Sequence, residues 1–246
     1  MGKRTLFFVV VLLFTSYSNA AEVRIAVATN FLATMKELKS LYEASTNAQL
    51  SVSAASSGKI YAQIINGAPF DLFLSADQRY VDKLIEQGKA VKESRYLYAR
   101  GVLVLWSRDT KRVDRNSLFG RDITRLSIAN PRLAPYGLAA LQTLDALGLS
   151  QALKAKIVTG ESVGQAFQFV ATGNAEYGFV ARSQVLNPKN VFNRSHYWLV
   201  PTDLYSPILQ EAVLLTRARN EEKAMAFMHF LKSDAAKSII FKYGYM

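Results

Sequence analysis

Apolar positions along this chain alternate between two rhythms. Val23–Ala28 is a compact run broken only by Arg24, which reads as a strand buried on both faces. The next apolar residues, Met35, Leu38, Leu41 and Tyr42, recur at three- and four-residue intervals and predict a helix over 32–44. The same exchange follows twice more. A strand at 49–54 precedes a helix beginning near 60, which Asn66-Gly67-Ala68-Pro69 brings to an end; a strand at 71–75 precedes a helix that Asp77 starts and Gly88 closes. Strand and helix taking turns predict a mostly parallel sheet with helices on both faces.

The rhythm changes near residue 95. Segments 95–97 and 101–106 read as extended chain with little helix between them, suited to crossing between two lobes. Beyond them come a strand at Leu126–Ala129, a helix over 136–147, a short strand at 157–158, a helix over 163–172 and a strand at 175–180. An alternating strand returns at 209–215, and two helices, Glu221–Leu231 and one over 234–243, complete the pattern. No repeat or low-complexity linker divides the halves. The expected architecture is therefore α/β with two lobes joined by more than one crossover, rather than two beads on a string.

Residues 1–20 stand outside this pattern. Lys3 and Arg4 precede an apolar stretch from Leu6 to Phe14, and Ser18-Asn19-Ala20 places small residues at the −3 and −1 positions. This predicts a cleaved secretory signal, cut between Ala20 and Ala21. The apolar stretch is shorter than the ~20 residues a membrane span needs. There is no cysteine, so disulfides, thiolate metal sites, a cysteine nucleophile and a lipid-modified N-terminal cysteine are all excluded.

Charge adds one constraint. With Lys3 and Arg4 set aside, 28 Lys and Arg stand against 19 Asp and Glu. These charges are scattered, without a long basic run or an aromatic-basic motif, which argues against nucleic acid and fits a generally basic surface. Catalytic readings fare poorly: His196 and His229 are the only histidines, and no zinc-protease, nucleophile-elbow or phosphate-loop motif is present. Asp71 and Asp77 read as a strand start and a helix cap.

Four strand-to-helix turns carry the remaining chemistry: Ala28-Thr29-Asn30-Phe31, Ala55-Ser56-Ser57-Gly58, Ala134-Pro135-Tyr136-Gly137 and Gly160-Glu161-Ser162-Val163. The first N–H groups of a helix lack intrahelical partners and carry a partial positive charge, so each turn is a potential anion seat. Taken alone, Ser56 or Ser57 reads more simply as a helix cap. Four such turns in two halves favour an oxyanion cleft at the carboxyl ends of the strands. Lys59 reads as a solvated neighbour. Tyr136 is not needed for packing between a proline and a glycine, and offers both an N–H and a phenol.

These segments resemble the periplasmic molybdate-binding proteins of ABC importers, which also take tungstate. The resemblance runs through Val27-Ala28-Thr29-Asn30-Phe31-Leu32, Ala55-Ser56-Ser57-Gly58, Tyr61-Ala62-Gln63-Ile64, Asn66-Gly67-Ala68-Pro69 and Leu74-Ser75-Ala76-Asp77. It continues through Asn130-Pro131, Ala134-Pro135-Tyr136-Gly137, Phe169-Val170-Ala171-Thr172-Gly173 and Gly178-Phe179-Val180, covering the chain after the signal in order. It implies a two-lobed periplasmic binding protein of type II, with lobe 1 from 21–100 plus 208–246 and lobe 2 from 101–207. Carried over by position, Asn30 and Ser57 would donate from the first lobe and Tyr136 and Val163 from the second, Val163 through its N–H and with Thr29 as a neighbouring candidate. The metal would be held as its oxyanion by these donors and not by direct ligation. The implied protein is no enzyme, uses no cofactor, is a periplasmic monomer, and passes molybdate or tungstate to an ABC permease in the inner membrane; another tetrahedral oxyanion such as sulfate, or a small organic anion, is the alternative ligand. The best-known branch of the family has serine at Asn30, a small residue at Tyr136 and tyrosine at Ala181, so this chain is similar to a second branch in which the tyrosine donor has moved to Tyr136. Arg182 beside Ala181 is a further departure.

A donor-only pocket has a stated selectivity. A tetrahedral dianion has acceptors only, so N–H and O–H groups satisfy it completely. Hydrogenphosphate brings a proton that such a pocket leaves unpaired, at a cost of ~1–3 kcal/mol.

Overall fold

The computed structural model describes residues 22–109, 112–120, 123–192 and 196–246; the signal expected at 1–20 and its cleavage site lie outside them. The first sheet has the order β2-β1-β3-β10-β4, made of β1 (Val23–Ala28), β2 (Leu50–Ala55), β3 (Leu72–Ser75), β10 (Ile208–Leu214) and β4 (Tyr96–Gly101). The second has the order β7-β6-β8-β5-β9, from β7 (Ile157–Gly160), β6 (Leu126–Ala129), β8 (Tyr177–Ala181), β5 (Leu103–Trp106) and β9 (Tyr197–Leu199). The helices are α1 (Leu32–Ser45), α2 (Ser57–Ile65), α3 (Arg79–Glu86), α4 (Pro135–Ala146), α5 (Ser150–Leu153), α6 (Val163–Ala171), α7 (Arg182–Val185), α8 (Glu221–Leu231) and α9 (Asp234–Lys242). The architecture is the expected two-lobed α/β arrangement.

Both sheets are mixed. β1 is parallel to β2 and β3, whereas β10 is antiparallel to β3 and β4. The second sheet repeats this, with β6 parallel to β7 and β8, and β5 antiparallel to β8 and β9. The reversed strand in each case is one that enters from the other sheet. β4 passes through Val102 into β5, and the chain after β9 returns as β10. Neither entry uses the helical crossover that parallel neighbours require.

The central strands of each sheet bury both faces, while the edge strands β2, β7 and β9 are partly exposed. Along β1, Val23, Ile25 and Val27 pack with Met35, Leu38, Phe227, Met228 and Leu231, while Ala26 packs on the opposite face with Ile60, Ile64, Tyr80 and Leu84. In the second sheet Leu103 and Leu105 face Leu144 and Val163, and Val104 and Trp106 face Val170 and Val185. This period-two division puts apolar residues at nearly every strand position. Gly67, with φ of 87°, adopts the left-handed conformation that ends α2, as the Asn66-Gly67 punctuation predicts.

The register places the turns. Ala28 pairs with Ala55, so β1 and β2 end level and release the Thr29–Phe31 turn and the start of α2 on the same edge. In the second sheet Ala129 pairs with Gly160, and the turns toward α4 and α6 leave side by side. Asn130 N–H binds the Gly160 carbonyl at 2.7 Å, locking those two turns together.

Candidate functional site

The two sets of turns meet across the cleft. Gly58 N–H in the first turn of α2 donates to the Leu133 carbonyl at 3.0 Å, just before α4. Gly164 N–H in the first turn of α6 donates to Thr29 Oγ1 at 3.2 Å. Both glycines admit this approach through small size: a Cβ at Gly58 would stand 2.5 Å from Tyr80 Oη and 3.0 Å from Leu133 Cα, and one at Gly164 would stand 3.1 Å from Thr29 Cβ. Tyr80 Oη also donates to the Arg132 carbonyl at 2.8 Å.

Ser57 is buried at the first position of α2, and its Oγ accepts from Ala76 N–H at 2.9 Å. A hydroxyl that accepts keeps its own hydrogen for another acceptor. Ser56 occupies the N-cap with extended backbone, yet its side chain makes no cap bond, and its buried Oγ has no partner among the described residues. The simple capping reading of this turn is thus not realised. Ser162 does cap α6, accepting from Gln165 N–H at 3.2 Å, and Val163 follows it, buried, as the first helical residue.

Tyr136 lies buried in the first turn of α4, where its Oη accepts from Gln210 Nε2 at 3.2 Å. Burial, with Tyr245 nearby, pushes its phenol well above the ordinary tyrosine range, so it remains a protonated donor. Asn30 is also buried, but both hydrogens of its side-chain amide are engaged: Nδ2 donates to Gln210 Oε1 at 2.8 Å and to Tyr245 Oη at 3.1 Å. A ligand bond from Asn30 would therefore use its main-chain N–H, which lies in the Thr29–Phe31 turn. Gln210 joins Asn30 to Tyr136, and it escaped the sequence reading. The available signal was a pair of polar residues, Gln210 and Glu211, inside the apolar run 208–214; both are buried.

Other charged residues have structural partners. Lys59 Nζ pairs with Glu161 Oε2 at 3.2 Å on the exposed rim of the cleft. Arg182 Nε reaches Tyr197 Oη at 3.1 Å. Asp71, fully buried, accepts from Arg24 N–H at 2.7 Å and Arg219 N–H at 2.8 Å. Asp77 accepts from Tyr80 N–H at 3.3 Å, near the start of α3. Among the described residues no group of three His, Cys, Asp or Glu could hold a metal ion. What these turns offer together is hydrogen-bond donation.

The family model for bacterial extracellular solute-binding proteins matches residues 23–246. The chain belongs to this family. As a solute-binding protein it has curated relatives of nearly its own extent. A molybdate-binding protein ModA from Azotobacter vinelandii is 48% identical over 230 residues, covering 93% of this chain and 91% of the relative. A molybdate-binding protein ModA from Rhodobacter capsulatus is 45% identical over 228 residues, covering 92% and 89%. The solved Azotobacter vinelandii periplasmic molybdate-binding protein superposes on this solute-binding protein with a TM-score of 0.87 at 40% identity, covering 91% of this chain and 98% of that one.

Proposed function

We propose that this solute-binding protein captures molybdate or tungstate between two lobes, 21–100 plus 208–246 and 101–207, and delivers it to an ABC permease of the inner membrane. The observation that carries the reading is that Ser57 and Tyr136, one from each lobe, both accept a bond from the protein and so keep an O–H hydrogen to donate. The main-chain N–H groups of Asn30 and Val163 complete the donor set, with Thr29 holding the two lobes together beside them. The molybdate for which the two relatives are named supports the same choice.

Fit can be judged on the donor chemistry. A tetrahedral dianion is satisfied by hydroxyl and N–H donors at helix starts, without a cationic side chain against it. The protein performs no reaction on the ion and needs no cofactor; closing the lobes buries it. The expected location is the periplasm, reached by way of the signal at 1–20 and as a monomer, and no helix among the described residues is long and apolar enough to cross a membrane.

Thermal melting with and without molybdate tests the reading. A ligand at 100 times its Kd stabilises the native state by about 2.7 kcal/mol, equivalent to roughly 5–10 °C in a chain of this size. No shift with millimolar molybdate or tungstate refutes the assignment; a shift with sulfate alone favours the alternative ligand.

A further inference from the structure

Behind Tyr136 lies a buried chain of hydrogen bonds whose direction is set at one end. Tyr245 Oη lies 2.8 Å from the Asn30 main-chain carbonyl and 3.0 Å from Ser183 Oγ. A carbonyl has no hydrogen to give, so that short contact requires Tyr245 to donate. Only lone pairs of Tyr245 then remain for the Asn30 side chain, which must present Nδ2, at 3.1 Å. The second hydrogen of Nδ2 needs an acceptor, and Gln210 supplies Oε1 at 2.8 Å. Tyr98 Oη lies 3.0 Å from the same oxygen, but its one hydrogen also faces the Ser75 carbonyl at 3.1 Å, so the Asn30 amide alone sets Gln210. Gln210 is thereby left with Nε2 facing Tyr136, at 3.2 Å. Turning the Gln210 amide over would set its Nε2 against the Nδ2 of Asn30, two donors face to face.

We propose that Gln210 is a positioning and specificity-determining residue, which makes Tyr136 an obligate donor and so selects a fully deprotonated tetrahedral dianion over a protonated one. This rests on the reading of the cleft as a dianion site. Gln210 has no exposed surface, so the amide cannot exchange its partners for bulk water. The strand geometry accommodates it. The register of β10 against β4 shifts between Gln210 and Glu211, passing from Ala99 to Leu97 and leaving Tyr98 as the extra residue. Near the end of β4, where Gly101 pairs with Ile208, a Cβ on that glycine would run into Tyr136 Oη and stand 2.6 Å from Gln210 Nε2, so the glycine leaves room for the pair.

Gln210→Glu tests the polarity with almost no change of shape. A carboxylate still accepts from Asn30, but toward Tyr136 it accepts too, drawing the phenol hydrogen away from the cleft. The oxygen lone pairs of Tyr136 then face the ligand and can accept its proton. Calorimetric affinities for molybdate and for inorganic phosphate are measured on wild type and variant. The ratio of the two is expected to fall by roughly tenfold or more, the size of one unpaired buried polar group. Tyr245→Phe, which adds no buried charge, releases the Asn30 amide and is expected to move the ratio the same way by a smaller amount; it also serves if the glutamate variant does not fold. A merely structural role weakens both anions alike. Wild-type binding of molybdate with an unchanged ratio in the folded variants overturns the role of Gln210 alone. Failure of the wild type to bind molybdate overturns the dianion reading with it.

Discussion

Gly58 N–H reaches the Leu133 carbonyl at 3.0 Å, and this bond joins the helix start of one lobe to the loop preceding the helix start of the other. It engages one of the orphan N–H groups of α2 with protein, so the anion seat there depends on the neighbouring Ser57. It also sets how closely the lobes can approach.

Gly58→Ala places a methyl 2.5 Å from Tyr80 Oη and 3.0 Å from Leu133 Cα. The expected result is a cleft held partly open. Small-angle scattering of the liganded variant should give a larger radius of gyration than wild type, and its molybdate dissociation should be faster. An unchanged radius and an unchanged off-rate would show that this contact does not govern closure.

Removing either free hydroxyl should weaken binding without unfolding the chain. Ser57→Ala and Tyr136→Phe each delete a donor to a charged acceptor, worth about 1.5–3 kcal/mol, or roughly 10- to 150-fold in Kd. Titration calorimetry measures this. Ser57→Ala also leaves Ala76 N–H without its acceptor, so its melting temperature should fall more than that of Tyr136→Phe.

The rim pair Lys59–Glu161 is exposed on both sides. Such pairs contribute little, and Lys59→Ala should change molybdate affinity by less than about fivefold. The association rate should become less sensitive to salt, because one cation near the cleft mouth is gone. Loss of binding in this variant would make Lys59 a ligand contact.

Two carboxylates give opposite pH signatures. The Lys242 hydrogen bond, with a second from Tyr243, holds Glu37 below its ordinary 4.5, while burial, aided by the same carboxylate, pushes the Tyr243 phenol up to about 12. The folded state therefore binds the Glu37 proton less tightly than the unfolded chain. Its stabilisation is present above pH 4.5 and is lost as pH falls through the depressed folded value. Glu37→Gln should lower the melting temperature at pH 7, with the difference shrinking in acid. Burial raises Asp77 above its ordinary 3.8, which reverses the sign: its contribution is present below 3.8 and is lost as pH rises through the raised folded value. Asp77→Asn should therefore cost little or nothing at pH 7, and a large loss there would refute the burial argument.

Much of the fold was legible because the strong signals coincide. In Leu126–Ala129 and Glu221–Leu231 apolar pattern and end punctuation agree, and both elements occur with the expected bounds. β9 was not legible: three residues, Tyr197–Leu199, have too little periodicity to separate from loop. The antiparallel direction of β5 and β10 depends on which sheet each strand joins after crossing, information no local window contains. The turns that meet across the cleft were visible as helix-start chemistry. Gln210 and Tyr245 were not, because a buried amide within an apolar strand and a tyrosine next to the chain end acquire meaning only from partners 180 and 215 residues away.

Competitive titration calorimetry on the chain from Ala21 onward tests the central claim most directly. A donor-only cleft between two lobes should take one molybdate or tungstate ion per chain, and excess hydrogenphosphate at neutral pH should not displace it. Phosphate displacing molybdate at comparable concentration, or no molybdate binding at all, would contradict the account.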